Sequence, residues 1–514
     1  MISKTYGGAL QGIDAVTICV ETSIEPGVNF MLVGLPDSAV KESHYRIATA
    51  IAHCGYKVPV RRIVINMAPA DLRKEGSAYD LTLAMGILSA SGQLGDDAEP
   101  RLGQYMMMGE LSLDGRLQPI KGVLSLALEA KKQGFSGFIL PEQNAAEAAL
   151  VEGLRVYGVK CLVQVVEFFR GRGVLQEYES GVSAQPVCQS LDEPDFAEVQ
   201  GQYFCKRALE ITAAGGHNIL LVGPPGAGKT MLARRLAGIL PPLTQEEALE
   251  TTKIYSVAGK LVSNQRLVSN RPFRDPHHTI SYAALVGGGS FPQPGEISLA
   301  HNGVLFLDEL PEFSRATLEV LRQPIEDRKI SICRAKMRVD YPAGFMLVAS
   351  MNPCPCGYYN SPDKACTCRP ASISRYLGKI SGPLLDRMDL HVQVLPVPFK
   401  ELASDEKAES SQQIRERVVL ARQRQLERFS GTSLSCNARM QARHIHQYCR
   451  LDKDSEALLA AAMQQYGFSA RTYHRILKVA RTIADLEGAI EIKSYHVAEA
   501  IQYRCVDKAN WGQG

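Results

Sequence analysis

The sequence predicts an α/β protein in which a parallel-sheet domain is preceded by a second α/β domain and followed by an all-α domain. In the first part of the chain, apolar β-branched runs alternate with stretches of helical spacing. A second alternation of strand-like and helix-like segments covers 196–398, as a parallel sheet with helical crossovers requires. Beyond Pro398 the apolar residues recur with the period of helices. These three observations set the fold class.

The first domain is predicted over 1–170, where strand-like runs such as AVTICVETSI and RRIVINMAP flank the helix-like stretch SAVKESHYRIATAIAHCG. Residues 171–195 lose this periodicity and gain Ser, Gln, Pro and acidic residues, a composition typical of a linker. A chain of 514 residues is long enough for several domains with separate cores. We therefore expect one domain boundary within this linker.

The second domain, 196–398, is predicted from a series of short apolar segments. They are Ile219–Val222, Val304–Leu307, Ile330–Cys333, Phe345–Ala349 and Leu390–Val394. The third domain, 399–514, is predicted from helical stretches such as SEALLAAAMQQYG and SARTYHRILKVARTIADLEG. We expect this last part to form a small helical lid on the parallel-sheet domain.

Composition restricts the compartment and the partners. The net charge is only +3, so any contact with nucleic acid would need a local basic patch. No segment approaches the roughly 20 apolar residues of a membrane span, and the N-terminus lacks the pattern of a secretory signal. Thirteen cysteines, an odd number spread thinly outside one cluster, suit a reducing compartment. We expect a soluble cytoplasmic protein without a membrane partner.

The strongest functional motif follows the strand-like run Ile219–Val222. Its sequence, GPPGAGKT, matches the P-loop pattern GxxxxGK[ST], in which backbone N–H groups and a helix N-terminus surround phosphate oxygens. A chance match in a glycine-rich chain is the alternative, but a strand-like run before the motif and a helix-like run after it favour the P-loop. We predict that a nucleoside triphosphate binds here, with Lys229 at the β- and γ-phosphates and Thr230 at Mg²⁺. The residues expected to contact the nucleotide are Gly223, Pro224, Pro225, Gly226, Ala227, Gly228, Lys229, Thr230 and Met231.

Three polar residues at strand ends indicate hydrolysis as well as binding. The apolar run VLFL ends in Asp308 and Glu309, which are expected to hold Mg²⁺ and to polarise the attacking water, respectively. Alone this motif is weak, because buried strands often end in an acidic turn. Asn352 follows the next apolar run, where a polar side chain orients the hydrolytic water in NTPases with an extra strand between these motifs. An ordinary Asn-Pro turn is the alternative for Asn352.

A cysteine cluster within 354–368 follows directly. The pattern is CPC-x9-CTC, and its members are Cys354, Cys356, Cys366 and Cys368. Four thiolates on two short segments match the ligand number and softness that tetrahedral Zn²⁺ prefers. Such a site would be structural, since four protein ligands close it. Four reduced cysteines in a loop are the alternative.

The order of these motifs resembles the AAA+ ATPases, specifically the branch that contains magnesium-chelatase subunits and MCM helicases. The blocks RPFRDPHHTIS (271–281), PGEISLAHNGVLFLDEL (294–310), NPCPCG (352–357), GLPDSAVKES and NMAPADLRKEG resemble the YifB/ComM family of magnesium chelatase-like proteins. The resemblance covers nearly the whole chain. It implies an ATPase that forms a ring, expected to be hexameric, and acts on single-stranded, forked or branched DNA. Members regarded as helicases drive branch migration, so that transforming DNA is integrated by homologous recombination during natural transformation.

The resemblance also assigns residues that the motifs alone leave open. Nucleotides in such rings lie between subunits, so Arg387 is expected to act as an arginine finger on the neighbour's ATP. Arg471 is expected to be a second sensor at the same interface. For a lone arginine a surface ion pair is the ordinary alternative. Gly201 and Gln202 match the segment that contacts adenine in relatives.

A basic segment, DRKISICRAKMRVDYPAGF, precedes the strand-like run that ends before Asn352. It is predicted to form a β-hairpin with its turn near Arg334 to Lys336. Resemblance to the hairpin of helicases implies DNA contact, and six copies in a ring would line the channel. An exposed, solvated hairpin is the alternative. The residues expected to contact DNA are Lys329, Arg334, Lys336 and Arg338.

The N-terminal domain resembles the Lon-protease catalytic fold, a ribosomal S5 domain 2-like fold. Lon-type proteases need a serine and a lysine, but Ala78 and Leu124 occupy the aligned positions. The neighbouring Ser77 and Lys121 leave an ATP-dependent protease with a displaced dyad as one alternative function. A second alternative is a magnesium-chelatase-like ATPase subunit that powers metal insertion.

Overall fold

The computed structural model describes residues 2–95, 97–179, 194–261, 267–289, 292–334, 337–360, 364–398, 401, 408–432 and 434–509, and it describes the side chains of all of these except 334, 337 and 505–509. The chain divides into two compact units. The first contains Met1–Gln185 and Gln245–Val268, and the second contains Pro186–Thr244 and Ser269–Gly514. Residues 180–193 of the predicted linker lie outside the described residues, and the described part of 171–195 forms neither helix nor strand.

The first unit is built around a seven-stranded mixed sheet. Its strands are β1 (Ile2–Gln11), β2 (Asp14–Glu25), β3 (Phe30–Val33), β4 (Arg62–Ala68), β5 (Tyr105–Met107), β6 (Glu110–Leu111), β7 (Leu117–Gln118), β8 (Gly137–Pro141) and β9 (Val156–Val159). Its helices are α1 (Ser38–His53), α2 (Asp80–Ala90), α3 (Ala98–Leu102), α4 (Val123–Lys132), α5 (Glu142–Ala148) and α6 (Leu162–Phe169). The order in the large sheet is β3-β4-β2-β1-β5-β8-β9, and β6 pairs with β7. The α/β prediction for this part is confirmed.

The second part of the chain begins with a P-loop core. Its helices are α7 (Tyr203–Gly215), α8 (Lys229–Ile239), α10 (Tyr282–Val286), α11 (Glu296–Leu299), α12 (Arg315–Val320), α13 (Arg322–Asp327), α14 (Pro370–Leu377) and α15 (Gly382–Leu385). Helix α9 (Gln245–Val257) follows α8 in the chain but is part of the first unit. Its strands are β10 (Ile219–Val222), β11 (Phe273–Arg274), β12 (Gly287–Gly288), β13 (Gln293–Pro294), β14 (Val304–Leu307), β15 (Lys329–Arg334), β16 (Met337–Pro342), β17 (Met346–Met351) and β18 (Leu390–Gln393).

Five of these strands form a parallel sheet in the order β11-β14-β17-β10-β18. Every residue of β10, β14 and β17 is buried, because helices cover both faces of a parallel sheet, and this explains their uninterrupted apolar runs. Strand β17 lies between β10 and β14, as the extra strand predicted between the two nucleotide motifs. The segment Ile330–Cys333 is not in this sheet but in an antiparallel hairpin with β16.

Helix α9 belongs to the first unit, although it lies within the predicted 196–398 domain. The backbone N–H of Gly122, just before α4, donates to the carbonyl of Ser256 in α9 at 3.2 Å. The hydroxyl of Ser256 also donates to the carboxylate of Glu147. The sequence of α9 contains no local signal for the unit on which it packs, which is why the predicted bounds of the second domain include it.

The C-terminal part of the second unit is helical, as predicted. It contains α16 (Ser411–Arg428), α17 (Ala442–Tyr448), α18 (Lys453–Tyr466), α19 (Ala470–Glu487) and α20 (Ser494–Ala509). Apolar side chains such as Val418, Ile476 and Ile483 are fully buried in the same core cluster as β10 and β18. Among the helices of the described residues, none has both the length and the apolar content needed to cross a membrane.

Candidate functional site

The P-loop connects β10 to α8 at the carboxyl edge of the parallel sheet. Gly226 and Gly228 have φ angles of 80° and 87°, a left-handed conformation that glycine adopts without steric cost. Gly223 is required for a different reason, since a side chain there would collide with the backbone of Val394. Pro225 is exposed on the loop, Pro224 and Ala227 are buried within it, and Met231 is exposed in the first turn of α8. The glycines therefore allow the tight backbone turn that a P-loop requires.

Lys229 is held over this loop by three hydrogen bonds. Its ammonium donates to the carbonyls of Gly223 at 2.8 Å and Pro224 at 2.9 Å, and to Asn352 Oδ1 at 3.0 Å. Burial lowers the pKa of Lys229, while the negative charges of Asp308 and Glu309 oppose that shift. The ammonium thus lies beside the P-loop and touches the residue that follows β17.

Asp308 connects the two halves of the predicted Mg²⁺ site. Thr230 Oγ1 donates to Asp308 Oδ2 at 2.6 Å, and the hydroxyl of Ser350 donates to the other carboxylate oxygen. The register explains this contact, because Leu307 pairs with Ala349 and places Asp308 opposite Ser350. A threonine hydroxyl and a carboxylate are oxygen ligands of the kind that Mg²⁺ prefers beside a triphosphate, so these residues fit the ion. Ser350 was not among the predicted site residues, since only the strand register identifies it.

Glu309 follows with a left-handed backbone (φ 53°). Its backbone N–H donates to Asp308 Oδ1 at 3.0 Å, and 58% of its side chain is exposed. The Nδ1 atom of His278 lies 3.8 Å from Glu309 Oε2. An exposed carboxylate beside Asp308 is accessible to a water molecule. His278, whose ring lies 4.0 Å from that of His277, is a second site residue that the sequence did not assign.

Gly201 and Gln202 lie on the other side of the P-loop. Both have positive φ angles, and Gln202 Nε2 donates to the carbonyls of Leu395 at 2.5 Å and Ala227 at 3.5 Å. This amide therefore bridges the segment after β18 and the P-loop. The geometry places the predicted adenine-contacting pair next to the loop that is expected to hold the phosphates.

Arg387 and Arg471 occupy different environments. The Arg387 guanidinium is only 7% exposed, pairs with Glu326 Oε1 at 2.6 Å and donates to the Pro383 carbonyl at 2.6 Å. Arg471 is exposed in the first turn of α19. One turn later, Arg475 pairs with Asp389 and donates to the Arg387 carbonyl at 3.0 Å. Neither Glu326 nor Arg475 was predicted, because each acts through a contact distant in sequence.

A buried carboxylate fixes the backbone near Arg387. Asp389 accepts the backbone N–H of Asn218 at 3.0 Å as well as Arg475. Burial alone would raise the pKa of Asp389, but the charge of Arg475 and the hydrogen bonds from His217 and Asn218 hold it well below its usual range. This ionised network joins α19 to the loop that contains Arg387.

The four clustered cysteines converge as predicted. Their sulfur atoms all lie within 4.8 Å of one another, and Cys354 Sγ is 3.3 Å from Cys356 Sγ and 3.7 Å from Cys366 Sγ. A tetrahedron with Zn–S bonds of about 2.3 Å has sulfur atoms about 3.8 Å apart, so the arrangement fits zinc. Gly357 (φ 86°) packs directly on Pro225, where a side chain would collide. The cysteine loop therefore contacts the P-loop.

The predicted basic hairpin is present. Strands β15 and β16 are antiparallel, and Arg334 pairs with Met337 across the turn. Lys329 is exposed, and so is Arg338, which lies 3.6 Å from Asp340. Lys336 and the side chain of Arg334 lie outside the described residues. Strands β12 and β13 form a separate small antiparallel pair, and the hydroxyl of Tyr341 in β16 donates to the Pro292 carbonyl at 2.6 Å.

The region that resembles the Lon active site has no serine–lysine pair at the aligned positions. Leu124 is fully buried, and Ala78 is partly buried against the core. The hydroxyl of Ser77 donates to the carboxylate of Glu110, while Lys121 lies beside Gly259. Burial lowers the pKa of Lys74, whose ammonium donates a hydrogen bond to the Pro69 carbonyl.

Three family models match the chain. The model described as "Magnesium chelatase, subunit ChlI" matches residues 195–402, "Subunit ChlI of Mg-chelatase" matches 20–144, and "Magnesium chelatase, subunit ChlI C-terminal" matches 408–504. The uncharacterized protein YifB of Salmonella typhimurium is 45% identical over 97% of this chain and 96% of its own length. The competence protein ComM of Haemophilus influenzae is 44% identical over 98% of both chains. A partial match, 29% identical over 29% of this chain and 28% of the relative, is to Lon protease 2 of Bacillus subtilis.

Proposed function

The chain belongs to the YifB/ComM family of magnesium chelatase-like AAA+ proteins, and from this premise we propose that it is an ATP-driven motor that acts on DNA. Both the matching family models and the geometry of the P-loop site support an ATPase of this family. The observation that carries the DNA-directed part is the full-length similarity to a relative named competence protein. We infer that the chain unwinds forked or branched DNA and drives branch migration during natural transformation, which promotes homologous recombination of incoming DNA.

In this proposal the residues at the sheet edge have separate roles. Lys229 would neutralise the β- and γ-phosphates, while Thr230 and Asp308 would hold Mg²⁺, which neutralises charge on the phosphates when it is bound. Glu309, exposed next to Asp308, would polarise the attacking water. Asn352, which accepts a hydrogen bond from Lys229, would orient that water. Gln202, beside Ala227, would lie near the adenine.

In the proposed ring, a neighbouring subunit supplies the arginine that completes each nucleotide site. We propose a hexamer in which Arg387 acts on the nucleotide of the neighbouring subunit and Arg471 lies at the same interface. A guanidinium suits this role because its planar fork meets phosphate oxygens directly. Six β15–β16 hairpins would then face the channel. The exposed Lys329 and Arg338 support contact with the DNA backbone, and Arg334 and Lys336 are proposed to add to it.

Strand separation tests the DNA-directed function. Full-length protein with ATP and Mg²⁺ is expected to displace a labelled strand from forked DNA and to dissociate a four-way junction, and a slowly hydrolysed ATP analogue should support neither reaction. The Arg338→Ala variant should keep its DNA-free ATPase rate but bind DNA more weakly and with a smaller salt dependence. ATP hydrolysis without any strand displacement would contradict the proposal and favour a motor that acts on a protein partner, as in metal insertion.

We also propose that the cysteine cluster holds structural Zn²⁺ and thereby supports the P-loop. Purified protein is expected to contain about one zinc per chain, as one closed four-thiolate site requires. In the Cys354→Ser, Cys366→Ser variant, the zinc should be lost. The KM for ATP should then rise on the order of ten-fold, because the Gly357 contact with Pro225 would no longer be fixed. Metal analysis and steady-state ATPase kinetics measure both effects.

Cys161→Ser is the matched control for the zinc variant. Cys161 is a free, partly buried cysteine in the first unit, outside the cluster. Its replacement should leave both the zinc content and the KM unchanged. Wild-type protein without zinc, or a double variant that retains it, would show that the four thiols serve another purpose.

A further inference from the structure

Arg387 lies between the base of the hairpin and the helical lid, and each of its parts is held by a different element. Its side chain pairs with Glu326 in α13 at 2.6 Å. Its carbonyl accepts hydrogen bonds from Arg475 in α19 at 3.0 Å and from Asn218 Nδ2 at 3.1 Å. The backbone is therefore fixed from the lid side, while the guanidinium is held only by the Pro383 carbonyl and one carboxylate, and its Nε has no partner among the described residues.

Glu326 is connected to the hairpin through a short stretch of chain. Helix α13 ends at Asp327, and β15 begins at Lys329. Arg328, between them, has a left-handed φ of 56°, donates its N–H to the Pro324 carbonyl at 2.9 Å and accepts the N–H of Ala343 at 2.8 Å. These bonds tie the last turn of α13 to both strands of the hairpin. Glu326 is thus connected to the hairpin base through Arg328.

The Arg387 side chain is 7% exposed in this arrangement, whereas Glu326 is 49% exposed. A guanidinium that is enclosed within its own subunit must leave this position, and with it the Glu326 carboxylate, before it can reach phosphate on another subunit. Carboxylate and phosphate oxygens compete for the same planar donor fork. Any contact of Arg387 with a neighbour's nucleotide therefore requires the Glu326 pair to break.

We propose that Glu326 is the resting partner of Arg387, and that Arg387 exchanges it for the terminal phosphate of the nucleotide on the neighbouring subunit, which frees α13 and the hairpin base to move. This inference rests on the proposed ring ATPase and adds the step that links nucleotide contact to hairpin position. Glu326 is a positioning residue in this scheme, since it acts through Arg387. The released carboxylate is already half exposed, so water solvates it without a further rearrangement.

The test is Glu326→Gln in the full-length protein, measured as ATPase rate with and without DNA. A partly exposed ion pair of this kind shifts the population of the paired state by little more than about five-fold. Loss of the pair should therefore raise the DNA-free ATPase rate by about that factor. The DNA stimulation ratio should fall towards one, since the hairpin base is already released. A purely structural role would lower both rates and leave the ratio unchanged.

Two further variants make the result specific to Arg387. Glu319→Gln, on the adjacent α12, removes a similar glutamate that pairs with Arg322 at 2.7 Å, and it should leave rate and ratio unchanged. In the Arg387→Ala background, Glu326→Gln should have no effect, which gives a coupling between the two positions. Glu326→Asp, which keeps the charge, checks that folding alone does not account for the change.

A DNA-free rate of Glu326→Gln that equals or falls below the rate of Glu319→Gln, with equal melting temperatures, overturns the exchange. Its failure is distinguishable from that of the proposed function. If wild-type protein hydrolyses ATP but does not respond to DNA, the DNA motor fails. The comparison of DNA-free rates still decides whether Glu326 restrains Arg387.

Discussion

Replacing Lys229 with alanine is expected to abolish ATP hydrolysis, with a loss in kcat/KM of at least about 10³-fold. Its ammonium is held within 3.0 Å of the P-loop carbonyls and of Asn352, so it stands where the charge of the phosphates would develop. No other lysine is hydrogen bonded to this loop among the contacts of the described residues. Steady-state phosphate release measures the loss of hydrolysis, and binding of a fluorescent ATP analogue measures the loss of nucleotide affinity.

The matched control for Lys229→Ala is Lys132→Ala. Lys132 is at the end of α4, and 77% of its side chain is exposed, so its removal should change neither rate nor binding. Normal hydrolysis by Lys229→Ala would show that the P-loop is not the nucleotide site.

Replacing Arg387 with alanine is expected to lower kcat by about 10³-fold while nucleotide binding is kept, as loss of an arginine finger does in related phosphoryl-transfer enzymes. The loss of ATPase activity in Arg387→Ala should be partly restored by mixing with Lys229→Ala, a variant with a different defect. In rings that mix Arg387→Ala with Lys229→Ala, some interfaces combine an intact P-loop with an intact arginine. Equal random mixing gives about a quarter of such interfaces in a cyclic ring, and thus about a quarter of the wild-type rate.

Mixing is measured by titrating one variant with the other at constant total protein. Two kinds of sample supply the inactive baselines. The first is each variant alone. The second is a mixture of Arg387→Ala and Glu309→Gln rings that have been crosslinked so that subunits cannot exchange. No recovery in freely exchanging mixtures would place Arg387 in its own subunit's structure, as the contact with Glu326 alone would suggest.

The sequence predicts a site best where its residues are close together in the chain. Gly223 to Thr230 predicts a P-loop because both the glycine spacing and the flanking strand and helix are contiguous in the chain. The same is true of the basic hairpin and of the cysteine cluster, whose members lie within fifteen positions of one another. The structure shows each of these segments where the pattern predicts it.

Contacts between distant segments could not be predicted in this way. Ser350 meets Asp308 only because β14 and β17 are paired in one register, and a shift by one residue would point it to the other face. The pair between Arg387 and Glu326 joins a loop to helix α13 about sixty residues away in the sequence, and no local pattern predicts it. Helix α9 belongs to the first unit although its sequence lies among segments of the second, and no local pattern indicates this.

The measurement that tests the DNA motor most directly is the ATPase rate of the wild-type protein with and without forked or four-way-junction DNA. We expect DNA to raise kcat at least about five-fold, the lower end of typical coupling between two sites. The Lys229→Ala variant should remain inactive in both conditions. A wild-type rate that is the same with and without DNA, over a range of salt concentrations, would contradict the proposed function.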